Sequence, residues 1–443
     1  MIARHAGDVA ATAAAAIDSL RRDGFGDTSA LEDRLHEASA GMCRELMSLL
    51  LNAPGVAVAG DSPREGEVSA GSRARGVLTL FGRVEVKGRS YYYDREAKAG
   101  RFPFDDALGT VNGATPALAK RAMEFALKEP YETASASFGR AYTRDLTPDV
   151  LKALARTLAP QAASFAREAP GGASRKAAPC AVVLGDGIGM PMRPEELRGV
   201  KGRGPDGKAR TRETKVGAVF EAAPRPGGPD TRARVPDSTT YVATLDRKDA
   251  FAGALRAEYD RRFPVPPEVT LFISDGAMWL RDIRRTHFPF AVEILDFYHA
   301  AGHLGMLLDL AALDGQRRKN TFRKWKRWLK EGKASNVIRE CEAIAAADHT
   351  KAKAWDAALA YLRGNLGRMK YGEYLAKGWF IGSGVIEGAC KTIVGGRFKQ
   401  PGMRWSRKGA DALLHFRTAY LSGRYDQLWD FIRAGRNLVG VAA

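Results

Sequence analysis

Four acidic residues between positions 186 and 387 follow apolar runs or sit among small residues. Asp186 follows residues 181–184, Asp275 follows 269–273, Asp296 follows 290–295, and Glu387 lies in IGSGVIEGACK. The apolar runs read as strands, and side chains at the ends of neighbouring strands converge, so such acids can share a divalent ion. Asp186-Gly187 and Asp275-Gly276 put glycine behind the acid, which lets backbone or substrate approach closely. Two aspartates and a glutamate on an α/β sheet are what two-metal phosphoryl transfer requires. Hard oxygen ligands hold two magnesium ions about 4 Å apart, one at the attacking oxygen and one at the leaving oxygen. A strand-end aspartate can instead cap the next helix, an alternative that stands for Asp275 ahead of residues 277–285. Glu387, near the start of a predicted helix, has a capping-box role as its alternative. Its neighbours Gly388, Ala389 and Cys390 are small, as a helix facing packed chain or substrate needs.

His299 and His303 are four residues apart and share a face if 297–304 is helical, a spacing able to bind a metal. No HExxH glutamate accompanies them, which argues against a zinc hydrolase and leaves packing or hydrogen bonding as the ordinary role of either ring. Along 322–329, Phe322, Trp325 and Leu329 form an apolar stripe, with Arg323, Lys324, Lys326, Arg327 and Lys330 on the other faces. Those faces suit a DNA backbone, with Arg323, Lys326 and Lys330 as the contacts. Near the C-terminus Arg397, Lys399 and Arg404 are further candidates, and Trp405 can stack on an unpaired base or anchor the core.

Lysine plus arginine number 69 against 51 acids, a net charge of +18 on 443 residues, which favours polyanionic partners. The excess clusters in residues 193–215, 317–333 and 391–408, so double-stranded DNA is the expected partner, bound with a steep salt dependence. Composition is that of a globular chain of about three domains. No run reaches the roughly 18 apolar residues of a membrane span, so no membrane partner is expected. The Ala-rich stretch 9–17 is bracketed by Asp8 and Asp18, unlike a secretion signal. Four scattered cysteines give neither a disulfide framework nor a Cys-x-x-Cys zinc site, and a bacterial cytoplasmic, nucleoid-associated location is expected.

The elements that must position these residues are legible in outline. Residues 31–51 read as an amphipathic helix, 52–76 as a linker and 78–93 as a small antiparallel hairpin. Residues 115–158 read as three helical pieces, with Thr147 capping and Pro148 opening the last. They suit either a helix-turn-helix or generic helix packing. A second small-residue linker is expected over 159–178. Strands are predicted at 181–184, 215–220, 239–245, 269–273 and 290–295, with a Pro/Gly-rich turn at 224–228 and helices at 248–263 and 277–285. Residues 301–376 read as all helix, and a turn at 382–384 precedes a last helical region.

The contexts VVLGDGIGM, LFISDGAMWL and IGSGVIEGACK resemble the Asp-Asp-Glu transposases of bacterial insertion sequences, the ISKra type in particular. EILDFYHAAGHL and GGRFKQPGMRWSRKGADALLHFR resemble the same family, and Asp296-Phe-Tyr-His299 is similar to its Cys/Asp-x-x-His element. The resemblance covers most of residues 78–429. It implies a ribonuclease H-like α/β catalytic domain, a mixed sheet with helices, over 181–300 and 380–430, interrupted by an all-helical insertion at 301–379. An N-terminal helical region and linker (1–75) and a β-hairpin and helical DNA-binding region (76–160) precede it. It further implies Asp186, Asp275 and Glu387 as catalytic residues holding two Mg (or Mn) ions, with Asp296 and His299 supporting the site. The activity implied is DNA cleavage at transposon ends and strand transfer into target, by a homo-oligomer on DNA. The alternatives are a catalytically inactive DNA-binding protein on the same fold and a ribonuclease H-like nuclease without strand transfer. Relatives often carry paired cysteines after the tyrosine-rich strand; YYYDREAKAGRFPFDDALG has none, which puts a zinc ion there in doubt.

Overall fold

The computed structural model describes residues 2–22, 27–53, 61–168, 176–200, 202, 206–225, 228–347 and 351–435. Lys201 and Arg203 of the first basic cluster, residues 54–60 and 169–175 of the two expected linkers, and residues 226–227 of the expected turn lie outside them. The chain forms two units, residues 1–162 with 427–443 and residues 163–426.

The first unit begins with helices α1 (Ile2–Arg22) and α2 (Thr28–Asn52). Strands β1 (Glu67–Thr79), β2 (Gly82–Asp94) and β3 (Ala99–Arg101) form an antiparallel meander, and α3 (Pro103–Leu108), α4 (Pro116–Lys128), α5 (Tyr131–Ala141) and α6 (Pro148–Glu168) follow. Alternation buries Val84 and Val86 of β2 with Val77 and Phe104, against Met47 and Leu51 of α2. Two expectations need correction here. The first linker ends early, because β1 starts at Glu67, where its polar residues pair with β2 and leave no apolar alternation to read. The second linker is helix up to Glu168, with Pro160 inside α6. Thr147 does cap α6, accepting from the Val150 N–H at 3.3 Å. The leucine stripe of α2 is not buried; Leu35 and Leu46 are exposed.

The second unit holds β4 (Ala181–Pro191), β5 (Thr211–Arg225), β6 (Gly228–Arg234), β7 (Thr240–Thr244), α7 (Lys248–Arg262), β8 (Thr270–Ser274), α8 (Met278–His287) and β9 (Val292–Leu295). Its sheet runs β6-β5-β4-β8-β9, with β7 also beside β5. β4 is antiparallel to β5 and parallel to β8, and β8 is parallel to β9. It is a mixed α/β unit. One sheet face buries Ala181, Val183 and Phe272 against Phe251 and Leu255 of α7 and Leu280 and Ile283 of α8. Strand β6, unforeseen, begins at Gly228, where the expected Pro/Gly-rich turn ends, and pairs with the last residues of β5.

The expected all-helical stretch comprises α9 (Phe297–Leu310), α10 (Gly315–Lys330), α11 (Ala334–Ala347), α12 (Ala352–Asn365) and α13 (Tyr371–Ala376). Trp325, Leu329, Val337, Cys341, Trp355 and Leu359 are buried within it, so the apolar stripe of α10 serves packing. Then come α14 (Gly384–Cys390), a π-helical turn (Lys391–Gly395), α15 (Gly396–Phe398), α16 (Arg407–Leu421) and α17 (Tyr425–Ala434). Among the described residues no helix is long and apolar enough to cross a membrane.

Candidate functional site

Two of the acids meet through strand register. Leu184 of β4 pairs with Ile273 of β8, so the same register carried two residues onward sets Asp186 level with Asp275. Adjacent strands lie about 4.8 Å apart. β4 does not end at Asp186, as expected, but runs on to Pro191 as a hairpin arm with β5, whereas its parallel ladder with β8 ends at Leu184 and Ile273. On β9, Leu295 pairs with Ser274, which brings Asp296 level with Asp275 in turn.

Alternation turns Asp186 away from α7 and α8, toward α14. A Cβ on neighbouring Gly185 would meet Leu280 at 2.6 Å on the α7/α8 face. The Asp186 carboxylate accepts the Gly187 N–H at 2.7 Å and the Cys390 thiol at 3.8 Å. Its pKa is raised, first by burial and then by the negative charge of Asp275, against the Gly187 N–H, His299 and the Cys390 thiol. No lysine or arginine is among the groups acting on it. Burial, and then Asp186 itself, pushes the Cys390 thiol up to about 12, so it stays a proton donor to the carboxylate. Asp275 accepts the Ala277 N–H at 2.9 Å, close to the capping alternative, although Ala277 is the residue at the start of α8.

Asp296 has a different situation. It is fully buried; one oxygen accepts the His299 N–H at 2.6 Å, capping α9, and the other accepts the Ser383 N–H. The Phe297 N–H donates to Ile381 O at 2.8 Å. Segment 381–383, which leads into α14, is thus tied to the start of α9. Asp296 positions; it does not face open solvent as a ligand would.

Glu387 is exposed on the first turn of α14, without a capping-box bond from Ser383. It stands three residues before Cys390, the spacing of neighbours on one helix face. With Tyr298, His299, Gly302, His303 and Met306 it lines a groove of about 300 Å³. Among the described residues no three His, Cys, Asp or Glu side chains form a closed metal-ligand set. The structure therefore joins Asp186 to Asp275 and sets the helix of Glu387 beside them, with the glutamate carboxylate turned to the groove.

The helical stretch braces the pair from the β9 side. The Tyr361 hydroxyl donates to Asp275 O at 3.4 Å, Tyr371 donates to Leu295 O at 3.0 Å, and Arg368 pairs with Glu293 at 2.6 Å. Burial, with Asp275 adding, pushes the Tyr361 phenol up to about 12. The His303 ring stacks on Tyr361 with centroids 3.5 Å apart, and its pKa is lowered by burial and by His299. Sequence reasoning passed over Tyr361, Ser383 and Cys390; only the small residues around Glu387 hinted at the last.

The expected DNA contacts divide. Arg323, Lys330, Lys399 and Arg404 are exposed; Lys326 is half-buried, its ammonium over Phe297 and Phe322. Arg397 is buried, contrary to expectation, and Trp405 is buried as well, the anchoring alternative of its two readings. Trp405 Nε1 donates to Phe398 O at 3.0 Å and the Arg397 guanidinium lies over its ring, so the tryptophan is an anchor and offers no face to a base. Arg417 of α16 donates to the carbonyls of Thr392 and Ile393, which the π-helical turn opens to it. No protein-family model and no curated protein matches the chain.

Proposed function

We propose that the chain is a DNA transposase of the Asp-Asp-Glu kind, with Asp186 and Asp275 as paired ligands and Glu387 as the third acid. The observation that carries this reading is the level placement of two half-buried aspartates on adjacent parallel strands. Among the described residues no lysine or arginine acts on Asp186, and His299 is the positive group that opposes the rise in its pKa. Removing a carboxylate from water beside another is costly unless a positive charge joins them. Hard divalent ions take such oxygens, so the donor set fits magnesium or manganese. When bound, a pair of such ions activates an attacking oxygen and stabilises a leaving one at a phosphodiester. Cys390 holds one Asp186 oxygen, the Gly187 N–H holds the other, and Asp296 fixes the approach of the helix bearing Glu387. Gly384 and Gly388 beside Glu387 have open space around them, which leaves that carboxylate room to turn toward the pair.

The strand order, antiparallel β4, β5 and β7 with β6 as an added arm on β5, followed by parallel β8 and β9 with helices between, supports a ribonuclease H-like fold for this unit. Exposed Arg323, Lys330, Lys399 and Arg404 and the +18 charge support double-stranded DNA as partner. One observation favours a second reading, an inactive DNA-binding protein on this fold: Glu387 is turned to the groove, and no three-ligand set is closed among the described residues. Magnesium-dependent nicking of a duplex carrying the DNA that flanks the gene separates the two. Cleavage leaving a 3′-hydroxyl that joins target DNA supports the transposase, and binding without cleavage supports the second reading.

A further inference from the structure

We infer that the groove between α9 and Glu387 holds a single unpaired nucleobase at the end of the DNA strand being processed. The inference rests on the DNA-processing reading above and deepens it. Tyr298, Gly302 and Met306 recur every fourth residue, so they form one row along α9, with His299 and His303 in the row beside it. Tyr298 is 63% exposed and Met306 48%, an unusual pairing of large apolar side chains in the open beside carboxylates. The floor between them is Gly302, and no atom lies within 4 Å of where its Cβ would stand. Glycine inside a helix lowers stability relative to alanine, so the missing side chain has the effect of keeping this space open. The His303 ring is fixed flat against Tyr361, whose hydroxyl reaches the carbonyl of Asp275, so the groove wall is continuous with the strand end that carries the acid pair.

The occupant follows from shape and charge. About 300 Å³ lies at the small end of ligand pockets, enough for one flat ring system and too little for a base pair. Glu387 on the rim repels phosphate, so the part that enters must be uncharged, while aromatic and thioether side chains favour a π face. A nucleobase meets both conditions only when unpaired. Its sugar and phosphate stay outside.

The probe is a short duplex with one unpaired 2-aminopurine at a 3′ end, compared with the same duplex blunt, both without divalent ions. The wild-type protein is expected to bind the overhang roughly tenfold more tightly, the order of one base–aromatic stack, with quenched 2-aminopurine fluorescence. Gly302→Leu and Tyr298→Ala should each remove the preference and the quench while leaving blunt-duplex affinity unchanged. Tyr298→Phe should keep both. Equal affinity for the two duplexes without quenching, a preference that survives Gly302→Leu, or loss in Tyr298→Phe would overturn the inference. A wild-type protein that binds neither duplex would overturn the DNA reading itself, and this inference with it.

Discussion

Asp186 and Asp296 are both acids at the edge of one sheet, and the structure assigns them opposite effects on stability. Asp296 is fully buried and accepts two backbone N–H groups, from His299 and Ser383, one on each oxygen. In Asp296→Asn only one oxygen remains, and the amide nitrogen turns a second donor toward one of those N–H groups. A buried donor left unpaired costs about 1–3 kcal/mol, and loss of a charge-assisted bond adds to it, so about 3 kcal/mol is expected. For a unit of this size that is a fall in Tm of roughly 6–12 °C. Asp186→Asn keeps an oxygen for the Gly187 N–H but removes a charge that burial and Asp275 both oppose, so its Tm should hold or rise. Both variants should lose cleavage, Asp186→Asn through the lost ligand and Asp296→Asn because segment 381–383 no longer fixes α14. Differential scanning calorimetry of the three proteins without divalent ions decides it. A fall of less than about 2 °C for Asp296→Asn, or a larger fall for Asp186→Asn than for Asp296→Asn, would refute the reasoning.

Replacing Arg323, Lys326 and Lys330 together with Ala should weaken DNA binding. It should also reduce the slope of log affinity against log salt by about two, since Lys326 is half-buried over aromatic rings and only two charges stand fully exposed; an unchanged slope in a salt titration would make this helix a bystander. Asp411 of α16 has a carboxyl raised from 3.8 to about 6 by burial, against the pull of Arg407. The folded state therefore binds this proton more tightly than the unfolded one, and the stability it contributes is full below pH 3.8 and lost as pH rises through about 6. Urea unfolding across that window should show the decline, and Asp411→Asn should flatten it. Glu67 has the reverse sign: Arg101, bonded at 2.7 Å, holds its carboxyl down at about 2, so its contribution is present above pH 4.5 and lost on acidification toward 2. Glu67→Gln should remove that part of the acid sensitivity of the first unit.

The sequence carried the buried strands and hid the exposed ones. β8 is short and buried on both faces, so a continuous run marks it, and the apolar residues of β9 mark that strand in spite of Glu293. β4 and β5 extend beyond their legible apolar parts, since Gly185, Gly187 and Gly189 interrupt the pattern of one and Arg212 to Lys215 that of the other; the ladder between the two continues through these residues. Residues 159–178 read as a linker from their small side chains, yet α6 continues to Glu168 with Pro160 inside it. The pairing of Asp186 with Asp275 followed from two runs ending alike. The separate fate of Asp296 did not, because whether a strand-end acid faces solvent or two buried N–H groups depends on segment 381–383, far along the chain. Arg397 looked like a surface residue because its neighbours are basic, and Trp405 left both readings open; their burial comes from contact with Phe398 and Met403 and from the bonds of Trp405 to Pro191 and Arg193, far along the chain.

Cleavage in magnesium, on a duplex carrying the DNA that flanks the gene, tests the central claim most directly. The wild-type protein should cut it. Asp186→Asn, Asp275→Asn and Glu387→Gln should each bind the duplex as before yet cut roughly a thousandfold more slowly, the order expected when several kcal/mol of charge stabilisation is lost. Losses should not add in the double variants, because the acids act as one unit. Cutting at the wild-type rate by the Asp275→Asn protein would contradict the account.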